Sequence, residues 1–240
     1  MSSRFETTQW SVVLTARDDG DPCARRAALE TLFTAYWYPL YAYARQCGCD
    51  LDEARDVVQS FFADLLERQA LRTVDPEKGR LRSFLLVSLR NFLSHERGRT
   101  LAAKRGGHTP VVSFDTEEAA QRFDREQAAH LTPEQVFERR WGLTVMERAM
   151  SRLKTQIETG ARPEMFERLK PYLTGGDHAS YRTVAAELSM HVGAVKVAVH
   201  RLRQSYGKLL RQELAQTLAD PSRVDDELRY LLSEIRPWRG

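Results

Sequence analysis

The stretch YRTVAAELSMHVGAVKVAVHRLR at residues 181–203 decides how the second half of the chain folds. Its apolar residues fall at the three- and four-residue steps of two short helices, interrupted by the SMH at residues 189–191. The small Ala185 would let a second helix cross the first closely, which is the pattern of a helix-turn-helix. The apolar positions are Val184, Ala185, Leu188, Val195, Val199 and Leu202.

The opposite face of the predicted second helix is basic and polar. Such a face suits the major groove of duplex DNA, where cationic side chains bind phosphates and residues near the helix start contact base edges. A solvated basic face on an ordinary helical hairpin is the alternative. The predicted duplex-contacting residues are Arg182, His191, Val192, Gly193, Ala194, Lys196, His200, Arg201 and Arg203.

The composition is that of a soluble globular chain. The 240 residues are 42% hydrophobic and 29% charged, with a formal net charge of only +3. No apolar run is long enough for a membrane span, and the polar start MSSRFETTQW lacks the layout of a secretion signal, so we expect no membrane insertion and a cytoplasmic protein. Cys23, Cys47 and Cys49 are expected to remain thiols in that reducing compartment.

The distribution of charge is more informative than its sum. Residues 80–107 carry one acid and seven bases, and residues 180–212 carry one acid and six bases. Between these basic blocks, residues 113–139 carry seven acids and three bases and show weak apolar periodicity. This acidic stretch is interpreted as a linker that is at least partly disordered.

The remaining periodicity predicts an all-α fold with two helical lobes. Residues 25–107 contain three amphipathic segments, enough for a small bundle, and Thr132, Pro133 and Gln135 have the pattern of a helix N-terminus. The tail is helical in character at DDELRYLLSEI. The predicted divisions are an N-terminal extension at 1–24, a first lobe at 25–107, a linker at 108–132, a second lobe at 133–213 and a C-terminal extension at 214–240.

The third segment of the first lobe mixes bases with aromatic residues. That mixture suits single-stranded DNA, because cations follow the backbone while rings or amides contact unstacked bases. Phe84 and Phe92 lie near the apolar stripe and are interpreted as core residues. The predicted strand-contacting residues are Arg80, Arg82, Arg90, Asn91, His95 and Arg97.

These stretches together resemble a bacterial RNA polymerase sigma factor of the extracytoplasmic-function (ECF) group. EARDVVQSFF at 53–62 resembles the clamp-binding motif that commonly reads DAEDLVQEVF. GRLRSFLLVSLRNFLSHERGR at 79–99 is similar to the segment that recognises and opens the minus-ten element, with Arg90 and Asn91 as the most diagnostic pair. The stretch at 181–203 resembles the helix-turn-helix that reads the minus-thirty-five element.

The resemblance implies an exchangeable polymerase subunit that is not an enzyme and uses no cofactor or metal. It would bind the clamp of core RNA polymerase through the first lobe, the flap through the second, and promoter DNA through both. The implied partners could include an anti-sigma factor or a Ser/Thr kinase. The polymerase-binding residues would be Glu53, Arg55, Asp56, Gln59 and Ser60.

Several positions depart from the family pattern. Arg55 stands where a glutamate is usual and Ser60 where another acid is common, so two negative charges are missing from the docking helix. Phosphorylation at Ser60 would add about 1.5 to 2 negative charges and could restore docking; a diverged clamp surface is the competing explanation. Ser189 replaces a turn glycine, and His191 replaces a Ser or Thr cap. The long linker and the tail could each fold back over a DNA-binding face.

Two other functions are alternatives to that of a polymerase subunit. A helix-turn-helix regulator that binds duplex DNA without polymerase explains the second lobe but leaves Arg90, Asn91 and the EARDVVQSFF segment without a role. A metal or thiol enzyme is disfavoured, because CGC at 47–49 does not match the spacing of zinc-binding cysteine pairs and no HExxH motif occurs.

Overall fold

A computed structural model describes residues 22–67, 80–100, 119, 121–123, 131–159, 164–174, 178–218 and 220–235. These residues are helical with short connections, and the described part contains no strand, which confirms the predicted all-α fold. No helix in it combines the length and apolarity needed to cross a membrane. The helices are α1 Pro22–Gln46, α2 Leu51–Glu67, α3 Leu81–Thr100, α4 Pro133–Glu158, α5 Glu164–Leu169, α6 Pro171–Thr174, α7 Tyr181–Glu187, α8 Val192–Thr217 and α9 Val224–Ile235.

The chain divides into two compact units. Unit 1 takes the described residues up to Thr144 and those from Ala215 onward, and unit 2 is Val145–Leu214. The boundary falls within α4 and within α8, whereas the sequence analysis placed all of residues 133–213 in the second lobe. The difference arises because Phe137 and Trp141, at the start of α4, are buried in unit 1. A continuous helix gives no composition signal where its packing partners change.

The core of unit 1 forms where α1, α2 and α3 bring their apolar faces together. Phe33 of α1 lies 4.1 Å from Phe62 of α2, centroid to centroid, and Phe61 meets the half-buried Phe92 of α3 edge-on at 5.9 Å. Leu89 is fully buried in the same core. Phe92 thus packs on the core as expected. Burial of these large rings supplies most of the favourable free energy that holds three helices of this length together.

Helix starts are set by local side-chain bonds. The Thr132 hydroxyl accepts from the Gln135 backbone N–H at 3.2 Å, and the Gln135 side chain accepts from the Thr132 N–H at 2.9 Å. This reciprocal capping box confirms the helix start predicted at Pro133. Asp50 and Glu53 form the same arrangement at the start of α2, with bonds of 2.8 and 3.1 Å.

Part of the acidic linker is ordered against unit 1. Residues 119 and 121–123 are helical, and Ala119 and Phe123 are buried. The Arg45 guanidinium lies 4.9 Å from the Phe123 ring centroid, a cation–π contact. The linker was expected to be only partly disordered, so these four helical residues do not contradict that prediction, and most of the linker lies outside the described residues.

The core of unit 2 is built by the second half of α4 and by α5 to α8. Leu153 of α4, Phe166 of α5 and Val199 of α8 are each about 1% exposed. Arg152 of α4 donates to the buried Glu213 of α8 at 2.7 Å, which ties the two long helices together. The described cysteines, Cys23, Cys47 and Cys49, carry no disulfide.

Candidate nucleic-acid interface

Helices α7 and α8 form the helix-turn-helix of unit 2. Ser180 caps α7 by accepting from the Thr183 N–H at 3.1 Å. Met190 N–H then donates to the Ala185 carbonyl at 2.8 Å, and Ser189 N–H donates to the Ala186 carbonyl at 3.2 Å. This pair of bonds is a Schellman termination, which needs a left-handed residue at its corner. The five apolar positions other than Leu188 are buried, and Leu188 is half-buried, as the pattern predicted.

Ser189 occupies that corner with φ of 52°. A side chain in this region carries a steric penalty that glycine lacks. Ser189→Gly is therefore expected to raise the free energy of unfolding of unit 2 by about 0.5–1 kcal/mol, measured by urea denaturation. Ala186→Gly, three residues earlier within α7, is the control and should lower it by about 1 kcal/mol. A loss of stability in Ser189→Gly would contradict the strained-corner explanation.

The start of α8 is capped by an imidazole. His191 Nδ1 accepts from the Gly193 backbone N–H at 3.2 Å, which requires the neutral ring with its proton on Nε2. The His191 carbonyl accepts the first helical bond, from Ala194, at 2.9 Å. His191 thus performs the capping role of the usual Ser or Thr and leaves Nε2 as a donor at the exposed end of the helix.

The predicted duplex-contacting residues of unit 2 are mostly exposed. Val192 is half-buried. Lys196 extends over the Tyr181 ring, with its Nζ 5.9 Å from the ring centroid. The exposed members of the predicted set are Arg182, His191, Gly193, Ala194, Lys196, His200, Arg201 and Arg203.

Two details of α8 were not foreseen. Arg203 is engaged within unit 2, because its guanidinium donates to the Tyr172 carbonyl at 3.0 and 3.3 Å. Val197 is 49% exposed between Lys196 and His200, and the sequence analysis passed over it. An exposed valine on a helix that enters the major groove can contact a thymine methyl group, and the nearby basic residues are the signal that could have identified Val197.

Unit 2 also contains an apolar cavity of about 390 Å³. Its apolar lining comes from α4, α5 and α8, and includes Leu153, Ile157, Phe166 and Leu202. Arg201 also lines it, so the cavity has one cationic wall. A cavity with these walls can accept an apolar side chain from a partner.

Unit 1 presents a separate polar face on α3. Arg90, Asn91 and His95 are exposed, and none of them makes a side-chain bond that stabilises the core. Val87, one turn before Asn91, is 45% exposed and was missed by the sequence analysis. The side chain of Arg97 lies outside the described residues.

Arg82 departs from its predicted role. Its side chain is 1% exposed and lies between two carboxylates: Nε donates to Glu138 at 2.8 Å, and Nη1 pairs with Glu227 of α9. Its guanidinium carbon also sits 4.1 Å from the Trp141 ring centroid. Arg80 is half-buried and pairs with Glu227 at 2.8 Å. Arg82 is therefore left out of the exposed surface, because a buried guanidinium cannot reach a phosphate in this conformation.

The predicted docking face on α2 has little uncompensated negative charge. Arg55 pairs with Asp52 at 3.1 Å and with Asp56 at 3.2 Å, and Glu53 caps its own helix. Gln59 and Ser60 are half-buried in the middle of α2. Arg55 thus adds a positive charge to this face and also neutralises two neighbouring acids.

No group of three or more His, Cys, Asp or Glu side chains suited to a metal ion occurs among the residues that the structure describes. The chain matches no protein-family model, and no curated protein or solved structure is significantly similar to it.

Proposed function

We propose that the chain is a sigma-type initiation subunit of bacterial RNA polymerase, acting in the cytoplasm. The observation that carries the proposal is that each of the two units exposes a polar surface suited to nucleic acid: the α7–α8 pair on unit 2 and the Arg90–Asn91 face on unit 1. A regulator that binds only duplex DNA needs the first surface alone. A subunit that selects and opens promoters needs both.

The α3 face supports the strand-opening part of the proposal. Asn91 offers a carboxamide that can pair with a base edge, and Arg90 offers a guanidinium for a phosphate or a base plane. Both side chains are exposed and therefore accessible to a DNA strand. Contacts with unstacked bases would offset an opening cost of a few kcal/mol per base step.

Unit 2 supports duplex recognition and a second polymerase contact. The exposed start of α8, from His191 to Lys196, would contact base edges of the minus-thirty-five element, while Arg182 and Arg201 would bind phosphates. The cavity beside Leu153 and Phe166 is the proposed site for an apolar side chain of the polymerase flap. Its volume suits one or two large side chains.

Helix α2 is the proposed contact with the polymerase clamp. Its acids Asp52 and Asp56 are both paired with Arg55, so we propose weak basal docking on a basic partner surface. A Ser/Thr kinase acting at Ser60 or another nearby hydroxyl would strengthen docking by adding negative charge. An anti-sigma factor would occupy the same face.

Two variants test the charge of α2. Arg55→Glu removes the cation and releases both acids, so we expect about tenfold tighter binding to core polymerase, measured by fluorescence anisotropy. Ser60→Asp should bind more tightly than Ser60→Ala by several-fold, because one carboxylate supplies part of a phosphate's charge.

The matched control for Arg55→Glu is Arg229→Glu. Arg229 also forms an exposed pair three residues apart, with Asp226 at 2.5 Å, but it lies on α9. The Arg229→Glu substitution makes the same change in net charge and should leave the affinity for polymerase within about twofold of the wild-type value. Equal polymerase affinities of Ser60→Asp and Ser60→Ala would contradict the proposed phosphorylation switch. Equal effects of Arg55→Glu and Arg229→Glu on that affinity would contradict the proposed clamp contact.

Start-site mapping on a promoter library tests the function as a whole. Core polymerase is assayed with and without the protein, and with the Ser60→Asp and Arg55→Glu variants. We expect a set of start sites that appear only when the protein or a variant is added. Tight binding to duplex DNA with no new start site under any of these conditions would favour the helix-turn-helix regulator instead.

A further inference from the structure

Helix α9 packs on unit 1 through a close approach to Gly142 of α4. A Cβ atom at position 142 would lie 2.9 Å from Ile235 Cδ1 and 3.3 Å from Leu231 Cγ, so any larger residue there would push against α9. Leu231 is 1% exposed, whereas Asp226 and Arg229 on the outer side of the helix are exposed. Helix α9 thus packs on unit 1 through Leu231 and Ile235, while its outer side remains exposed.

The inner side of α9 also places one carboxylate between two guanidinium groups. Glu227 is 1% exposed; its Oε2 lies 2.8 Å from Arg80 Nη2, and its Oε1 pairs with Arg82 Nη1. The Tyr230 ring lies beside both, with its centroid 5.2 Å from the Arg80 guanidinium carbon and 5.5 Å from that of Arg82. Two oxygens on one anionic centre, each paired with an arginine, is also how a backbone phosphate binds an arginine pair.

The position of Arg80 connects this cluster with the α3 face. Arg80 immediately precedes α3, and positions 80, 87 and 91 are spaced by seven and four residues, which places them along one side of the helix. Arg80 and Asn91 are about 16 Å apart along the helix axis at 1.5 Å per residue. One bound strand can therefore contact both ends of this side.

If a DNA phosphate took the place of the Glu227 carboxylate, the net charge around Arg80 and Arg82 would stay the same. Arg82 keeps Glu138 when α9 leaves, whereas Glu227 is the one carboxylate within ion-pair distance of Arg80 in the described part of the chain. The helix is only 12 residues long, and an isolated helix of that length is marginal in water. Its release would expose a cationic site without leaving Arg82 wholly uncompensated.

We propose that Arg80 and Arg82 form a phosphate-backbone site for single-stranded DNA on unit 1, and that Glu227 of α9 occupies it in the free protein as an internal anion. This inference rests on the proposed function and extends it, since the C-terminal helix then limits strand binding until it is displaced. Asn91 stays exposed in both states, so the helix controls the phosphate contact and leaves the base contact in place.

The test uses the full chain and a labelled single-stranded oligonucleotide without polymerase. Glu227→Gln should bind the strand about tenfold more tightly than the wild type, the effect of one additional charge-assisted hydrogen bond. The slope of log K against log salt should steepen by about 0.7 for each additional phosphate that the protein binds. Adding Arg80→Ala to Glu227→Gln should abolish the increase in affinity.

Two further variants distinguish the effect of removing a negative charge from the effect of displacing α9. Asp226→Asn makes the same change in net charge at the adjacent, outward-facing residue and should leave affinity within about twofold. Gly142→Leu keeps all four charges of the cluster but collides with Ile235 and Leu231, and should raise affinity as much as Glu227→Gln does. Hydrogen exchange of residues 224–235 should accelerate in both releasing variants.

The strand-binding experiment can succeed or fail independently of the proposed function. Unchanged strand affinity in both Glu227→Gln and Gly142→Leu overturns the inference, whether or not α9 exchanges faster. An increase in affinity that Asp226→Asn reproduces, or that survives Arg80→Ala, overturns it too. Because no polymerase is present, a chain that never directs start sites could still show the Arg80-dependent increase, and a genuine initiation subunit could lack it.

Discussion

Replacing Asn91 with alanine is expected to reduce promoter-specific transcription about tenfold to a hundredfold. The carboxamide is proposed to pair with a base of the opened strand, and such a contact contributes about 1–3 kcal/mol. Asn91 is exposed, so its loss should leave the stability of unit 1 unchanged. Run-off transcription with saturating protein measures the effect, because saturation removes any contribution from polymerase affinity.

Ser94→Ala is the matched control for Asn91→Ala. Ser94 is also exposed on α3, but its hydroxyl proton is already donated to the Arg90 carbonyl at 2.9 Å, and its side chain is too short to form the paired contacts of a carboxamide. We expect transcription within about twofold of the wild type. If both substitutions reduce transcription equally, or if Asn91→Ala has no effect, the α3 face does not capture the strand.

Replacing Arg82 with methionine is expected to destabilise unit 1 by about 3–5 kcal/mol. The substitution leaves Glu138 and the 1%-exposed Glu227 without their shared guanidinium in a dry interior. Burial raises the pKa of the Glu138 carboxyl above its usual value, and Arg82 opposes that rise, so the variant should favour the protonated acid further. Urea unfolding followed by tryptophan fluorescence suits the measurement, since Trp141 lies against Arg82.

Arg55→Met is the control for Arg82→Met, because Arg55 also pairs with two carboxylates but at the surface. Its cost should stay below about 1 kcal/mol. Adding Glu138→Gln and Glu227→Gln to Arg82→Met should recover much of the loss, since no unpaired charge remains buried. A cost below about 1 kcal/mol for Arg82→Met would mean that the cluster is hydrated and open rather than an internal anchor for α9.

Local features of the fold could be predicted because neighbouring residues determine them. The capping box of Thr132 and Gln135 and the apolar faces of α7 and α8 depend on residues within one or two helical turns. Sequence spacing encodes such features directly. The assignment of Phe92 to the core followed from the same periodicity.

The features that escaped prediction depend on residues distant in sequence. Arg82 has the sequence context of a surface cation, and only the fold brings Glu227, more than a hundred residues later, into contact with it. Arg203 has a similar context, yet it bonds to the Tyr172 carbonyl. Val87 and Val197 fall outside the apolar faces predicted for their helices, and no role was assigned to either residue. Phe123 of the linker contacts Arg45, a pairing that the linker's own composition does not reveal.

Strand separation at a promoter is the most direct test of the central claim that one unit grips duplex DNA while the other holds polymerase and captures a single strand. A promoter obtained by start-site mapping is labelled with 2-aminopurine in its minus-ten element, and fluorescence is followed as components are added. Fluorescence should rise only when the chain and core polymerase are both present, and much less with Asn91→Ala. A chain that binds this duplex tightly while fluorescence stays flat with polymerase, including with Ser60→Asp and Arg55→Glu, would contradict the account.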